Sequence, residues 1–486
     1  MSKIPEWAKK QRQKGTEIKV IGGKYYLCKA TSKWDPKIKR PRKISGDYLG
    51  VLTPEGLIPA RRKLINIKES VSSKEFGSSW LLYSITGDIK ERLESHFPDM
   101  WKEIYAISIL RTVRPCAFRY IAERYDNSAM SEILPGLSLS SSSITTLLKK
   151  LGSRRKSISL FMKDFLFDEH EYLIFDGTGL VSFSKGMNDN QLGYNNKGIF
   201  DPKLNLLYAF MGGTDKNSPA YYRKFPGSIC DVTAFSSFVS EMGINDTVII
   251  ADKGFGSKDN FEDLDKAGLN YIIPLRRNSQ EYERSPLMAA DKSGFEGVFQ
   301  YNDRPIWYYS CQDEDNHTVA VFLDSELRLQ EEKDYVRRLS AKYQGYTEDG
   351  LRAKQLEFGT IVLKTNLSET SEKLFHLYKR RVQIEQMFDD YKNLLDMDSS
   401  YLQNDTSMEA WLFINHICLM SCYKVFEMLR SYDLLKKYSV KGVLQEYLSN
   451  VRIENITGSW RYEAITKRNR DLIEKMSFNL PENPLP

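Results

Sequence analysis

The sequence predicts a mixed α/β protein, in which a sheet with flanking helices follows a small strand-rich module and a helical module. Three observations carry that reading. From about residue 170, short apolar runs bounded by acidic residues and glycines (YLIFDGTG, VSFSK, LNLLYAFMGG, TVIIADKGFG, YIIPLR) have the character of strands. Between about 76 and 165, apolar residues recur at helical spacing in WKEIYAISILRTV, CAFRYIAERY, SSSITTLLKKL and ISLFMKDFLF. Residues from about 18 to 60 alternate apolar runs with turn signals around a basic loop, KWDPKIKRPRK, which reads as a charged hairpin.

In chain order these give a basic strand-rich module over 1–75, a helical module over 76–165 and the first part of the sheet domain over 166–276. Within that part VTAFSSFVSEMG is helical, with Asp231 a fitting N-cap. An insertion follows over 277–358, where GVFQYNDRPIWYYSCQ and TVAVFLD read as strands ahead of the charged stretch EEKDYVRRLSAKYQGYTEDG. IVLKTNL resumes the sheet domain over 359–435, a long helix is expected from about Glu369 to Leu395, and the tail over 436–486 reads as helical.

A chain of 486 residues exceeds one ordinary core, so several domains or large insertions are expected. The net charge of +6 suits a polyanionic partner without requiring one. Its distribution is more informative, with Lys9, Lys10, Arg12, Lys14, Lys37, Lys39, Arg40, Arg42, Lys43, Arg61, Arg62 and Lys63 near the start. Such a segment is either a nucleic-acid-binding face or a solvated basic arm.

The six cysteines form no C-x-x-C pair, which fits a reducing compartment. Cys418 and Cys422 lie one helical turn apart near His416, but the surrounding WLFINHICLM is apolar and implies core packing rather than a metal site. The N-terminus has no apolar targeting segment and no stretch reads as long enough to span a bilayer. A soluble intracellular protein with no membrane partner is expected.

Two aspartates stand out. Asp176 follows YLIF and precedes GTG; Asp252 follows TVIIA and precedes KGFG. Two carboxylates emerging at the ends of two strands of one sheet can share a divalent ion, although either alone reads equally as a turn cap. In YKRRVQIEQMFDDYK, Tyr378, Arg381, Glu385 and Lys392 fall at roughly 0°, −60°, −20° and −40° around a continuous helix at about 100° per residue. A salt-bridge lattice explains their charges but not their sharing one sector.

The spacing of these four residues resembles the signature of a branch of the DDE insertion-sequence transposases: Tyr, two residues, Arg, three residues, Glu, six residues, Lys. DGTG and ADKGF resemble that branch's two Asp motifs, and PGSICDVT resembles the segment between them. GKYYLCKATSKWDPKIKRPRKISGDYLG is similar to the leader of one subgroup. Lys253 stands where the branch commonly has Arg, which keeps the charge but not a bidentate contact.

The resemblance implies a ribonuclease-H-like fold, a mixed five-stranded sheet with flanking helices and a β-rich insertion ahead of the catalytic Glu. It implies Asp176, Asp252 and Glu385 as catalytic metal ligands for two Mg²⁺ ions, with Mn²⁺ as substitute, and Tyr378, Arg381, Lys392 and Lys253 as DNA contacts. Trp307, in the insertion, is a candidate for stacking on a flipped base, where the residues alone favour a sheet-core Trp. The implied partners are double-stranded DNA, as terminal inverted repeats and as target, and a second copy of the chain in a synaptic homodimer; the helical module over 76–165 is expected to bind the inverted repeats, with the basic module over 1–75 a further DNA contact. The implied setting is the cytoplasm of a prokaryotic cell, at the nucleoid. A ribonuclease-H-like metal-dependent nuclease and a catalytically inactive DNA-binding regulator derived from a transposase are the alternatives. A dinucleotide site at GTG lacks the full G-x-G-x-x-G.

Overall fold

The computed structural model describes residues 4–35, 39–59, 72–166, 171–194, 200–213, 217–228, 231–245, 247–393, 395, 399–456 and 458–485. The chain forms two compact units, Met1–Ser72 with Asn455–Ser459, and Ser73–Glu454 with Trp460–Pro486.

The first unit holds helix α1 (Glu6–Lys10) and an antiparallel sheet of β1 (Thr16–Ile21), β2 (Lys24–Asp35), β3 (Arg40–Thr53) and β4 (Gly56–Pro59) in chain order. Gly22 and Gly23 make the tight β1–β2 turn, both at positive φ, as a two-residue hairpin of matching twist requires. The expected basic hairpin is β2–β3, with Asp35 opposite Arg40; residues 36–38 at its tip lie outside the described residues. Ala8, Leu27 and Leu52 form a small core, closed by Trp7 packed edge-on against Tyr25.

The second unit begins with β5 (Ser72–Glu75) and the helices α2 (Gly77–Ile85), α3 (Gly87–His96), α4 (Trp101–Val113), α5 (Ile121–Asp126), α6 (Met130–Ile133), α7 (Ser141–Gly152) and α8 (Arg155–Leu166). Next come β6 (Tyr172–Ser182), β7 (Gln191–Tyr194), β8 (Phe200–Gly212), β9 (Ser218–Pro226), α9 (Asp231–Met242), β10 (Val248–Ala251), α10 (Lys258–Lys266) and β11 (Asn270–Pro274). Within the sheet the order β9-β8-β6-β10-β11 is an antiparallel three-strand meander followed by two strands parallel to β6. This is the mixed five-stranded core with flanking helices that was expected, and β7 continues the edge of β8 beyond β9.

The expected β-rich insertion is continuous with the sheet. It contains α11 (Ser285–Met288), β12 (Gly297–Tyr301), β13 (Arg304–Gln312), β14 (Thr318–Asp324), α12 (Ser325–Ser340) and α13 (Glu348–Ala353), and is followed by β15 (Thr360–Thr365). Strand β15 pairs with β11 and β14 pairs with β15, so the insertion strands extend the core sheet in the order β12-β13-β14-β15-β11. The charged stretch is helix α12, whose N-cap Asp324 accepts from the Glu326 and Leu327 amides and pairs with Arg304 at 2.9 Å.

The expected long helix is two, α14 (Ser371–Lys379) and α15 (Val382–Asn393), joined by a turn at Arg380 and Arg381. After them come β16 (Ser399–Ser400), α16 (Asp405–Ser431), β17 (Arg452–Ile456), β18 (Ser459–Tyr462) and α17 (Lys467–Lys475). The tail is therefore only partly helical: β18 and β17 pair in a three-stranded sheet with β5.

Contrary to the sequence reading, one helix among the described residues, α16, is long and apolar enough to cross a membrane by length and composition; most of it is buried inside the protein. It packs on α4 and α7 and against β9, so the helical segment 76–165 and the sheet share one continuous core. A helix apolar all round needs cover on every side, and α4 and α7 supply it. The close approach at Gly152 is part of that cover: a Cβ there would lie 1.7 Å from the Thr406 carbonyl oxygen. Gly152→Ala is expected to cost about 2 kcal/mol in urea denaturation; an unchanged midpoint would contradict this packing.

Cys418, Cys422 and His416 are buried core groups on α16, and the His416 Nδ1 lies 2.9 Å from the Tyr208 hydroxyl. Burial, aided by the Arg155 charge, pushes the imidazole down to about 3. The unfolded chain takes up a proton on this His near pH 6.5, the folded one only far lower, so folding loses stability as pH falls below about 6.5. His416→Gln should reduce the stability difference between pH 7 and pH 5 by about 2 kcal/mol, read from denaturation curves at the two pH values.

Candidate active site

The site is built by strand register. Strands β10 and β6 run parallel with Ala251 opposite Phe175, so the next residues along each, Asp252 and Asp176, come side by side. Strand β10 stops at Ala251 and the chain turns through Lys253–Phe255, as the sequence suggested. Asp176 is different. It does not end its strand: β6 runs on to Ser182 because the long β8 pairs with it from Tyr172 to Val181. The carboxylate instead emerges where β6 loses its β10 neighbour, and Asp176 Oδ1 accepts from the Gly177 amide at 2.8 Å.

Glu385 arrives from α15. That helix buries Ile384, Met387 and Phe388, with the Phe388 ring edge-on to Tyr208 of β8, and packs against β6. The Tyr172 hydroxyl donates to Gln383 Oε1 at 3.1 Å, pinning the start of α15 to the strand that carries Asp176. Glu385, one residue past the buried Ile384, is left half exposed.

Arg381 lies at the centre. Its guanidinium is 2.5 Å from Glu385 Oε1, 3.7 Å from Asp176 Oδ2 and 3.8 Å from Asp252 Oδ1. All three carboxylates thus converge on one cationic group. Burial works against the Arg381 charge, but Tyr378, Asp252, Glu385 and Asp176 outweigh it and hold its pKa above the ordinary value. Tyr378, at the end of α14, is largely buried, which raises its hydroxyl pKa against the lowering effect of the Arg381 charge.

The other expected residues fall at different distances from this centre. Lys253 is exposed immediately beside Asp252. Lys392 lies about two turns beyond Glu385 on the same face of α15. The single-sector argument therefore holds for Glu385 and Lys392, whereas the turn at Arg380–Arg381 puts Tyr378 on another helix. Trp307 is on β13, opposite Leu323, and packs edge-on against Phe295, which is the contact of a sheet-packing Trp with part of its ring left open.

The donor set consists of carboxylate oxygens only, which suits hard divalent cations such as Mg²⁺ or Mn²⁺. A second acidic group, Asp313, Asp315 and His317, sits at the β13–β14 turn with ligand atoms within 4.8 Å. Two of its members are already paired: Lys364 Nζ lies 2.6 Å from Asp313, and Asp265 lies 3.2 Å from His317. What the sequence reading missed was the position of Arg381 among the carboxylates; its i, i+4 spacing to Glu385 was the available signal.

A family model described as transposase DDE domain matches residues 168–421, just over half of the chain. No curated relative matches the sequence at the same stringency. Among solved structures, the cryo-EM structure of the piggyBac transposase synaptic complex with hairpin DNA is similar at 12% identity and a TM-score of 0.39, over 85% of this chain and 86% of that one.

Proposed function

This chain belongs to the DDE transposase family, and we propose that it binds the terminal inverted repeats of an insertion sequence, cleaves phosphodiester bonds there and transfers the resulting 3′-OH ends to target DNA. The observation that carries the reading is the convergence of Asp176, Asp252 and Glu385, from two adjacent strands and a helix, on one cationic position. Asp176, Asp252 and Glu385 would hold the divalent ions, Mg²⁺ or Mn²⁺ in its place. Two such ions supply positive charge at the scissile phosphate and a nucleophile at neutral pH.

The chain's own residues do the rest by binding and orienting. Arg381 offers a planar fork for a phosphate, Tyr378 positions that fork, and Lys392 and Lys253 add charge along the duplex on either side of the carboxylates. No side chain need form a covalent bond: water is the first nucleophile and the freed 3′-OH the second. Trp307, with part of its ring open, is proposed as a stacking surface for an unpaired base near the cut.

Reading of the ends is assigned to the helices of 76–165 together with the basic N-terminal module. On its β2–β3 hairpin Lys33 stands directly opposite Arg42, both exposed. Like charges in that arrangement cost stability unless a polyanion compensates them, which favours DNA as the partner. Synapsis of two ends calls for a homodimer, and a prokaryotic cytoplasm with nucleoid DNA is the proposed setting.

The test uses linear DNA carrying the element's own ends, with Mg²⁺ or Mn²⁺ and a supercoiled target plasmid. Cleavage that leaves 3′-OH ends, followed by their covalent joining to the plasmid, is expected. Cutting without joining would move the assignment to a nuclease, and binding with neither to an inactive DNA-binding derivative.

A further inference from the structure

Three carboxylates that face one centre repel one another unless a cation lies among them. In this chain the cation is supplied internally. The Arg381 guanidinium is 2.5 Å from Glu385, 3.7 Å from Asp176 and 3.8 Å from Asp252, so one internal cation faces all three carboxylates. Only the Glu385 contact is within hydrogen-bonding distance. The two aspartates hold the group by charge alone, an attraction that a divalent ion can match and exceed.

The backbone suits such an exchange. Arg381 lies in the two-residue turn between α14 and α15, where its amide bonds back to the Tyr378 carbonyl, and not within the body of either helix. A side chain on a turn can swing without unwinding a packed helix. Tyr378, on the last turn of α14, lies close enough to Arg381 for each to shift the other's charge balance.

Resting on the reading of Asp176, Asp252 and Glu385 as metal ligands, we infer that Arg381 is the resident counter-cation of the DNA-free site and competes with divalent metal for the three carboxylates. Metal entry displaces the guanidinium and frees it for a DNA phosphate. A phosphate that draws Arg381 away opens the site to metal in turn. The two binding events are then coupled with equal and reciprocal effect on each other's affinity. The free protein stays metal-poor, and charge is loaded only where DNA is present.

The test is calorimetric titration of Mn²⁺ into DNA-free full-length protein, wild type against Arg381→Gln, with circular dichroism to establish folding and a melting curve for each metal-free protein. Arg381→Gln is expected to bind Mn²⁺ about tenfold more tightly, the equivalent of one lost ion-pair competitor. It should also melt lower than wild type without metal, and Mn²⁺ should close that gap. Equal or weaker Mn²⁺ binding by a folded Arg381→Gln overturns the inference. If that variant does not fold, Arg381→Lys makes the same comparison, since a single shorter ammonium cannot span three carboxylates: tighter binding than wild type supports the inference and equal or weaker binding overturns it. Absence of Mn²⁺ binding by both folded proteins overturns the metal-site reading itself and the inference with it, whereas wild-type binding unchanged by the substitution overturns the inference alone.

Discussion

Asp176→Asn and Glu385→Gln are each expected to slow DNA cleavage and strand transfer on the order of 10³-fold or more, while DNA binding changes by less than about threefold. The size follows from the proposed role of the carboxylates as holders of divalent ions. Charge supplied at a scissile phosphate is worth several kcal/mol, and each 1.36 kcal/mol is a factor of ten in rate. Both substitutions keep the side-chain shape and remove one negative charge from the cluster around Arg381. Asp176 lies within a strand paired along its length, so the fold should tolerate the amide. Single-turnover cleavage rates beside gel-shift affinities measure both quantities. A variant that cuts within tenfold of the wild-type rate would remove its carboxylate from the catalytic set.

The second large effect concerns stability. Arg155, at the start of α8, ties three elements together: it pairs with Glu409 of α16 at 2.8 Å and Glu241 of α9 at 2.8 Å, and donates to the Tyr222 carbonyl of β9 at 2.9 Å. The Tyr222 hydroxyl donates to Glu409 at 3.0 Å, and Glu409 is nearly inaccessible to solvent. Burial opposes the Arg155 charge, but Glu409, Tyr222, Glu241 and Tyr221 together raise its pKa. Removing the guanidinium leaves a buried carboxylate without its cation. Arg155→Ala is expected to cost about 3 kcal/mol, because breaking one partner of a buried pair is far more costly than losing a surface bridge. Urea denaturation measures it, and a loss under about 1 kcal/mol would show that the network contributes little.

Much of the site was legible because its signals are local. An apolar run, an Asp and a glycine announce a carboxylate leaving a sheet, and both Asp176 and Asp252 carry that pattern. Their adjacency was not legible: it depends on Ala251 lying opposite Phe175, a pairing between residues far apart in sequence. Likewise nothing in DGTG says that β6 continues through it, since the cause is the length of β8. The break at Arg380–Arg381 has no glycine or proline to mark it; α14 packs against β11 and β13 while α15 packs against β6, and the two directions cannot be served by one straight helix. The insertion was legible as strand-rich, but not how its strands join the core sheet: the pairing of β14 with β15 is long-range and leaves no mark in either segment.

The most direct test of the central claim places the metal. Fe²⁺ in place of Mg²⁺, with ascorbate and peroxide, cuts a polypeptide next to wherever the ion is held; applied to the DNA-bound chain, it should release fragments with ends near residues 176, 252 and 385, and excess Mg²⁺ should suppress all three. Cuts confined to the Asp313–His317 turn, or none at these three positions, would contradict the assignment of Asp176, Asp252 and Glu385 as the metal centre.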